Sequence, residues 1–146
     1  MSSSISANAA TLSSTLSTAF SEINSGTGLT IDTMHSLEQQ FSDLAGRDVS
    51  NIFYQSADGM KLNAKAAEDL VDAEYKLQTN KLYDTIEKQK EIIEKCGDAQ
   101  DETTKKTLSD ANQRIEAAQR ELAMLQALYD QQKEQFSQYS AWQAAQ

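Results

Sequence analysis

From Leu108 to Tyr139 the apolar positions recur at alternating spacings of three and four. They are Leu108, Ala111, Ile115, Ala118, Leu122, Leu125, Tyr129, Phe136 and Tyr139, interrupted only by Gln132. A sevenfold repeat of this kind predicts a long helix that buries a narrow seam against another helix. A stretch nearer the N-terminus, from about Met60 to Cys96, carries a less regular stripe: Met60, Ala64, Ala67, Leu70, Val71, Tyr75, Leu77, Leu82, Ile86, Ile92 and Ile93. It drifts between heptad and hendecad spacing and predicts a second long helix. Gly97 is placed to end that helix, with Lys95 near its negative pole. Cys96 to Asp101 forms the connection, and Asp98 or Asp101 can cap the last helix.

At 1.5 Å per residue these helices would be about 55 and about 60 Å long. A short connection between long helices predicts an antiparallel hairpin. Folding the chain about residues 99–100 sets Leu77 opposite Leu122, Leu70 opposite Tyr129, and Met60 near Tyr139. Apolar side chains then meet along most of the length. Pairing loosens toward the tip, where Ile86 faces the polar stretch around Gln113.

The N-terminal part is weaker. Leu12, Leu16, Phe20 and Ile23 mark an amphipathic helix within a Ser/Thr/Ala-rich segment, expected to be helical only when docked. Asn24-Ser25-Gly26-Thr27-Gly28 is a turn signal. Thr30 can cap a short helix with Asp32 in its first turn and Ile31, Met34, Leu37, Phe41 and Leu44 on one face. Gly46 is the expected stop, Asp48 a cap for the next apolar segment (Val49, Ile52, Phe53), and Asp58-Gly59 a break or kink. The expected fold class is all-α: a long antiparallel helical hairpin, or coiled coil, with two short N-terminal helices. Its parts are residues 1–28, a weakly helical segment; 29–57, short helical segments; and 58–146, the coiled-coil hairpin with its turn at 97–101.

Composition agrees with long helices. Among 146 residues there is no proline, where average usage would give about seven. A helix interior without proline need not break. The net charge of -9 opposes nucleic-acid binding, because an acidic chain repels a phosphate backbone. No basic cluster exceeds the pair Lys105-Lys106, so an anionic membrane has no patch to hold. No apolar run is long enough to span a bilayer, and direct membrane insertion is not expected. The first twenty residues have neither a basic n-region nor a continuous apolar core, so a Sec-type signal is not expected there.

Chemistry finds little footing. Cys96 is the single cysteine and His35 the single histidine, so a zinc site lacks candidate ligands. The acids at Asp98, Asp101 and Glu102 lack the ligand spacing of a calcium loop. No G-x-S-x-G and no phosphate-binding glycine loop occurs. No catalytic, cofactor-binding or metal residues are expected, and the chain reads as a non-enzyme. The candidate residues are those of a self-assembly or partner interface: Leu108, Ile115, Leu122, Leu125, Tyr129, Phe136 and Tyr139. Gln132 reads as a register-setting break in that seam.

The opening MSSSIS, the Ser/Thr-rich segment after it, the short helices and the C-terminal stripe from Ile115 to Phe136 together resemble the secreted structural subunits of bacterial type III secretion systems. These are needle subunits, Hrp-type pilins and EspA-type filament proteins. The segment NQRIEAAQRELAMLQAL, Asn112 to Leu128, is also similar to the C-terminal helix of type IV secretion minor pilins. The resemblance implies a secreted or surface-located subunit. Such a subunit leaves by a non-Sec route, is held beforehand by a secretion chaperone, and polymerises as a helical homo-oligomer. From a different class, the same seam would suit a cytoplasmic coiled-coil chaperone or adaptor that sequesters a partner helix.

Overall fold

The computed structural model describes residues 5–42, 44, 49–98 and 101–145. Helices dominate: α1 (Ile5–Asn24), α2 (Ile31–Gln40), α3 (Ala64–Cys96) and α4 (Glu102–Ala144). A short 3-10 turn (Ser50–Ile52) leads into a two-stranded antiparallel sheet, β1 (Phe53–Ser56) and β2 (Gly59–Leu62). The chain is therefore mostly helical with a small sheet between its short and long helices.

That sheet corrects the reading of 29–57 as purely helical and of a helical hairpin from residue 58. Phe53 pairs with Leu62, Tyr54 with Lys61, Gln55 with Met60 and Ser56 with Gly59. Instead of the expected break or kink at Asp58-Gly59, Ala57 and Asp58 form the loop of a tight β-hairpin, and Gly59, with φ of 112°, opens β2 opposite Ser56. Met60 lies in β2, and α3 begins four residues later, where the Asn63 side chain accepts from the Ala66 N–H at 3.2 Å. Gly46 and Asp48, an expected stop and cap, lie outside the described residues, as do residues 99–100 of the expected turn.

Each of the first two helices receives a carboxylate at its positive end from another helix. The Ser6 N–H of α1 donates to Glu121 of α4 at 3.0 Å. Glu22 of α1 accepts from the Thr30 N–H at 3.0 Å and from the Thr33 hydroxyl at 2.8 Å, where α2 begins with Thr30 as its N-cap. A negative group there meets both the unsatisfied N–H groups and the helix dipole. Ile31 departs from its expected face and is 79% exposed, while Leu37 and Phe41 are buried. Thr33, one position round from the expected stripe, is buried in its place.

The turn between α1 and α2 is pinned to the sheet. The Leu29 N–H donates to the Met60 carbonyl at 2.8 Å. Gly28 has φ of 78°, and a Cβ there would lie 2.9 Å from the Met60 nitrogen. Left-handed backbone and close approach both demand glycine at this position.

The main core sits at this base. Leu12, Leu16, Phe20 and Ile23 of α1 meet Leu37 of α2, Phe41, Ile52, Leu62, Leu70 and Val71 of α3, and Phe136 and Tyr139 of α4. The Phe20 ring is edge-on to Phe136 at 5.5 Å and stacked on Tyr139 at 4.6 Å. A second cluster continues toward the far end of α3 and α4 through Ala9, Leu82, Ile86, Ala118 and Leu125.

Candidate interaction surface

The sevenfold repeat of α4 resolves into two rows. Ala111, Ala118, Leu125, Gln132 and Tyr139, seven residues apart, are all buried. In the companion row Phe136 is buried, while Leu108, Ile115, Leu122 and Tyr129 keep part of their surface. The seven expected interface residues are thus divided. Leu125, Phe136 and Tyr139 are consumed by the chain's own core, and the other four lie at its edge.

Hydrogen-bond partners show what covers each side. α1 lies against one side of the buried row. Gln132 donates to the Ala9 carbonyl and the Ser13 hydroxyl, both at 3.0 Å. Gln135 donates to the Ser13 carbonyl at 3.1 Å and the Ser17 hydroxyl at 2.8 Å. Gln132 is 3% exposed, so its amide is a buried polar group satisfied by α1. The small Ala9 and Ser13 let α1 come close enough for these bonds.

On the other side, α4 bonds to α3. The Tyr129 hydroxyl donates to Asp72 at 2.7 Å. Lys133 sits between Asp72, at 3.1 Å, and Glu68. The Tyr75 hydroxyl donates to Gln126, whose own amide donates to Asp130 at 3.0 Å. The Tyr75 and Tyr129 rings stack with centroids 4.0 Å apart, and the Lys133 ammonium lies 5.7 Å from the Tyr129 ring centre. Tyr75, not Leu70, therefore faces Tyr129. Residues 68 to 75 of α3 descend as residues 126 to 133 of α4 rise, so the two helices run in opposite directions.

A helix turns roughly 100° per residue, so positions 121, 128 and 135 lie on one side of the buried row and 119, 126 and 133 on the other. The second side is an open flank. It carries the half-buried Tyr75, Tyr129, Leu122 and Ile115, and Tyr83 is 59% exposed. Away from the Glu68, Asp72, Asp130 and Lys133 cluster, the flank's tyrosines are of a residue type enriched in protein contact surfaces.

The resolved shifts on the flank, at Tyr129, Tyr75 and Lys133, all favour the protonated form. Asp72 accepting its proton, then burial, raises the pKa of Tyr129. Burial first, then the charge of Asp130, raises that of Tyr75. Burial opposes the Lys133 charge, but the bonds and charges of Glu68 and Asp72 outweigh it and the pKa rises. The tyrosines are held as hydroxyls and the lysine as a cation, an arrangement for holding two helices together rather than for moving protons. Among the described residues no group of three or more His, Cys, Asp or Glu side chains is placed to hold a metal ion. No described helix is long and apolar enough to cross a membrane.

Periodicity alone found the α4 rows but missed Tyr83, an isolated aromatic outside the α3 stripe, and the inward positions of Glu74 and Gln78. Both are buried on α3, where Gln78 donates to Glu74 at 3.1 Å. No protein-family model, no curated protein and no solved structure matches the chain.

Proposed function

We propose that the chain is a structural subunit that assembles with copies of itself into a helical extracellular filament, needle or pilus of a bacterial secretion apparatus. In this reading α3 and α4 are a coiled-coil hairpin, and their open flank is the surface by which hairpins pack side by side. The single observation that carries it is the half-exposed row Leu108, Ile115, Leu122 and Tyr129 beside the exposed Tyr83. A helical pair covered on one side and bare on the other has an unburied apolar edge, which association would remove from water. Export by a non-Sec route, with a chaperone covering the flank beforehand, belongs to the same reading and draws on the resemblance to secreted filament subunits. A contact between unlike surfaces that does not close into a ring extends into a fibre.

The adaptor reading is less well supported. The third-helix position over α3 and α4, where a captured helix would lie, is held by α1 through Gln132 and Gln135.

The test is negative-stain electron microscopy beside light scattering on protein concentrated in steps. Uniform fibres are expected, and they should be absent from a Leu122→Asp variant whose helical circular dichroism matches the parent. A small closed oligomer or a monomer at every concentration would sink the filament.

A further inference from the structure

The two edges of the β-hairpin are not equally used. Its ladder runs on to Ile52 and Asn63, where the Asn63 N–H donates to the Ile52 carbonyl at 2.7 Å. By alternation, Tyr54 faces Lys61 and Ser56 faces Gly59 with their main-chain groups. Met60 and Leu62 therefore turn their N–H and C=O groups outward from β2, and Phe53 and Gln55 turn theirs outward from β1. The β2 edge is taken: the Met60 carbonyl accepts from Leu29 at 2.8 Å, and the Leu62 carbonyl accepts from the Tyr139 hydroxyl at 3.1 Å. Among the described residues, none bonds to the main chain of Phe53 or Gln55 on the β1 edge. Gln55 is exposed there, and Tyr54 is 40% exposed. An open strand edge is a template for another strand, and native proteins guard it with lysine, proline or a bulge. Phe53-Tyr54-Gln55-Ser56 has none of these.

The outward groups sit on two residues with one between them, and that spacing fits a copy of the same strand. With a two-fold axis at Tyr54, antiparallel β1 strands set Phe53 of each copy against Gln55 of the other. Each such pair exchanges two bonds, so every outward N–H and C=O is matched with none left over. Tyr54 meets Tyr54 as a non-hydrogen-bonded pair, where side chains come closest and aromatic pairs stabilise a sheet. Charge does not oppose this pairing. β1 itself carries none. The two Lys61 side chains, on the Tyr54 face, would lie three strand spacings apart, about 14 Å. That exceeds the screening length of about 8 Å at physiological salt. The two Asp58 turns would point to opposite ends of the joint, about 27 Å apart along the strands.

We infer that a second copy of this chain adds its β1 to this edge, joining two hairpins into a four-stranded antiparallel sheet across a two-fold axis. The surface is separate from the flank of α3 and α4, and the inference does not rest on the filament reading. Main-chain bonds at two residues and one tyrosine pair make a small contact. It joins copies that are concentrated or already held close, and a dilute solution leaves them apart.

Disulfide trapping on the full chain at high micromolar concentration tests it. A Cys96→Ser background makes each introduced thiol the single cysteine. The two Tyr54 positions would have Cα atoms about 4.5 Å apart, within disulfide reach, and the two Gln55 positions about 8 Å apart, outside it. Tyr54→Cys should therefore form covalent dimer under mild oxidation at least about fivefold faster than Gln55→Cys. Adding Gln55→Pro to Tyr54→Cys should bring the rate down to the Gln55→Cys level. The proline removes an N–H that the hairpin's own ladder does not use, so the monomer tolerates it while the partner strand is blocked. Adding Gln55→Lys in its place keeps that N–H, guards the edge with charge, and should also slow the reaction. Equal cross-linking at positions 54 and 55, or a Tyr54→Cys rate that neither addition lowers, would overturn the inference and leave the edge to a strand of another protein. Preferential cross-linking at Tyr54→Cys without fibres would leave it standing and remove the filament. Fibres without that preference would remove the inference and leave the filament.

Discussion

The two sides of the α3–α4 pair grow from one sevenfold repeat and end in different surroundings. On one side the seam's own Gln132, with Glu121 and Gln135 on the row beside it, bonds to the backbone and hydroxyls of α1. On the other the rows carry Gln126, Tyr129 and Lys133, which bond back to α3 and leave apolar edges exposed. The difference lies in side-chain type. Small residues on α1 and amide N–H groups on α4 allow a third helix to approach and accept hydrogen bonds from them. Tyrosine and leucine on the flank cover part of themselves and leave the rest. Periodicity says that a stripe is buried; the residues beside the stripe say by what.

The sharpest way to break this contrast is to truncate one side chain from each side. Phe136 is fully buried in the base core against Phe20. Phe136→Ala removes a large ring and leaves a cavity, so it should cost about 3–5 kcal/mol in urea unfolding of dilute protein. Ile115→Ala, at a half-buried position on the flank edge, should cost clearly less, about 1–2 kcal/mol, because part of that side chain already meets water. Equal losses at the two positions would mean that the flank is as well packed as the base.

Much of this arrangement is legible in the sequence and some is not, for physical reasons. The row from Ala111 to Tyr139 and the Thr30 cap arise from local rules, spacing and a hydroxyl before a helix, and both appear. Leu12, Leu16, Phe20 and Ile23 are buried as the face of a docked helix. The β-hairpin escapes a sequence reading because two four-residue strands carry too few alternations to show a period of two, and Asp58-Gly59 serves a kink as well as a turn. Glu74 and Gln78 escape it because an inward polar side chain is invisible to an apolar pattern. Which face of α4 receives α1 depends on tertiary contacts of Gln132 and Gln135 that no spacing encodes. The flank, as the face left over, is hidden with it.

Alkaline pH probes the covered side next. Tyr139 is buried at the base, its hydroxyl donating to the Leu62 carbonyl at 3.1 Å. Burial first, then the neighbouring Tyr54, pushes its pKa up to about 12 from the ordinary 10.0, against the N–H that Gln143 donates to it. The folded state thus keeps a proton that the unfolded chain loses sooner. The associated stability is fully present below pH 10 and is lost as pH rises toward about 12. The loss should reach about 2–3 kcal/mol, by the value of about 1.4 kcal/mol per pKa unit. Tyr139→Phe cannot ionise there. Its unfolding midpoint should fall less steeply with pH over that interval, even if it starts lower for want of the hydroxyl bond. Parallel curves for parent and variant would assign the alkaline limb to other groups.

The smallest effect belongs to the flank's own ion pair. Lys133 bridges Asp72 and Glu68, but its side chain is 32% exposed and theirs are 43% and 33%. Water and salt screen such a bridge, so Lys133→Met should change global stability by about 1 kcal/mol or less. The thioether can still lie along Tyr129 where the lysine stem does. Because the folded lysine has a raised pKa, its contribution is present below its ordinary value and fades as pH rises through the folded one. The parent should therefore converge on Lys133→Met in strong base, and in high salt at neutral pH. A difference that survives high salt at neutral pH would show that Lys133 holds the flank by packing against Tyr129 rather than by charge. That would move this edge toward the tightly packed side of the comparison.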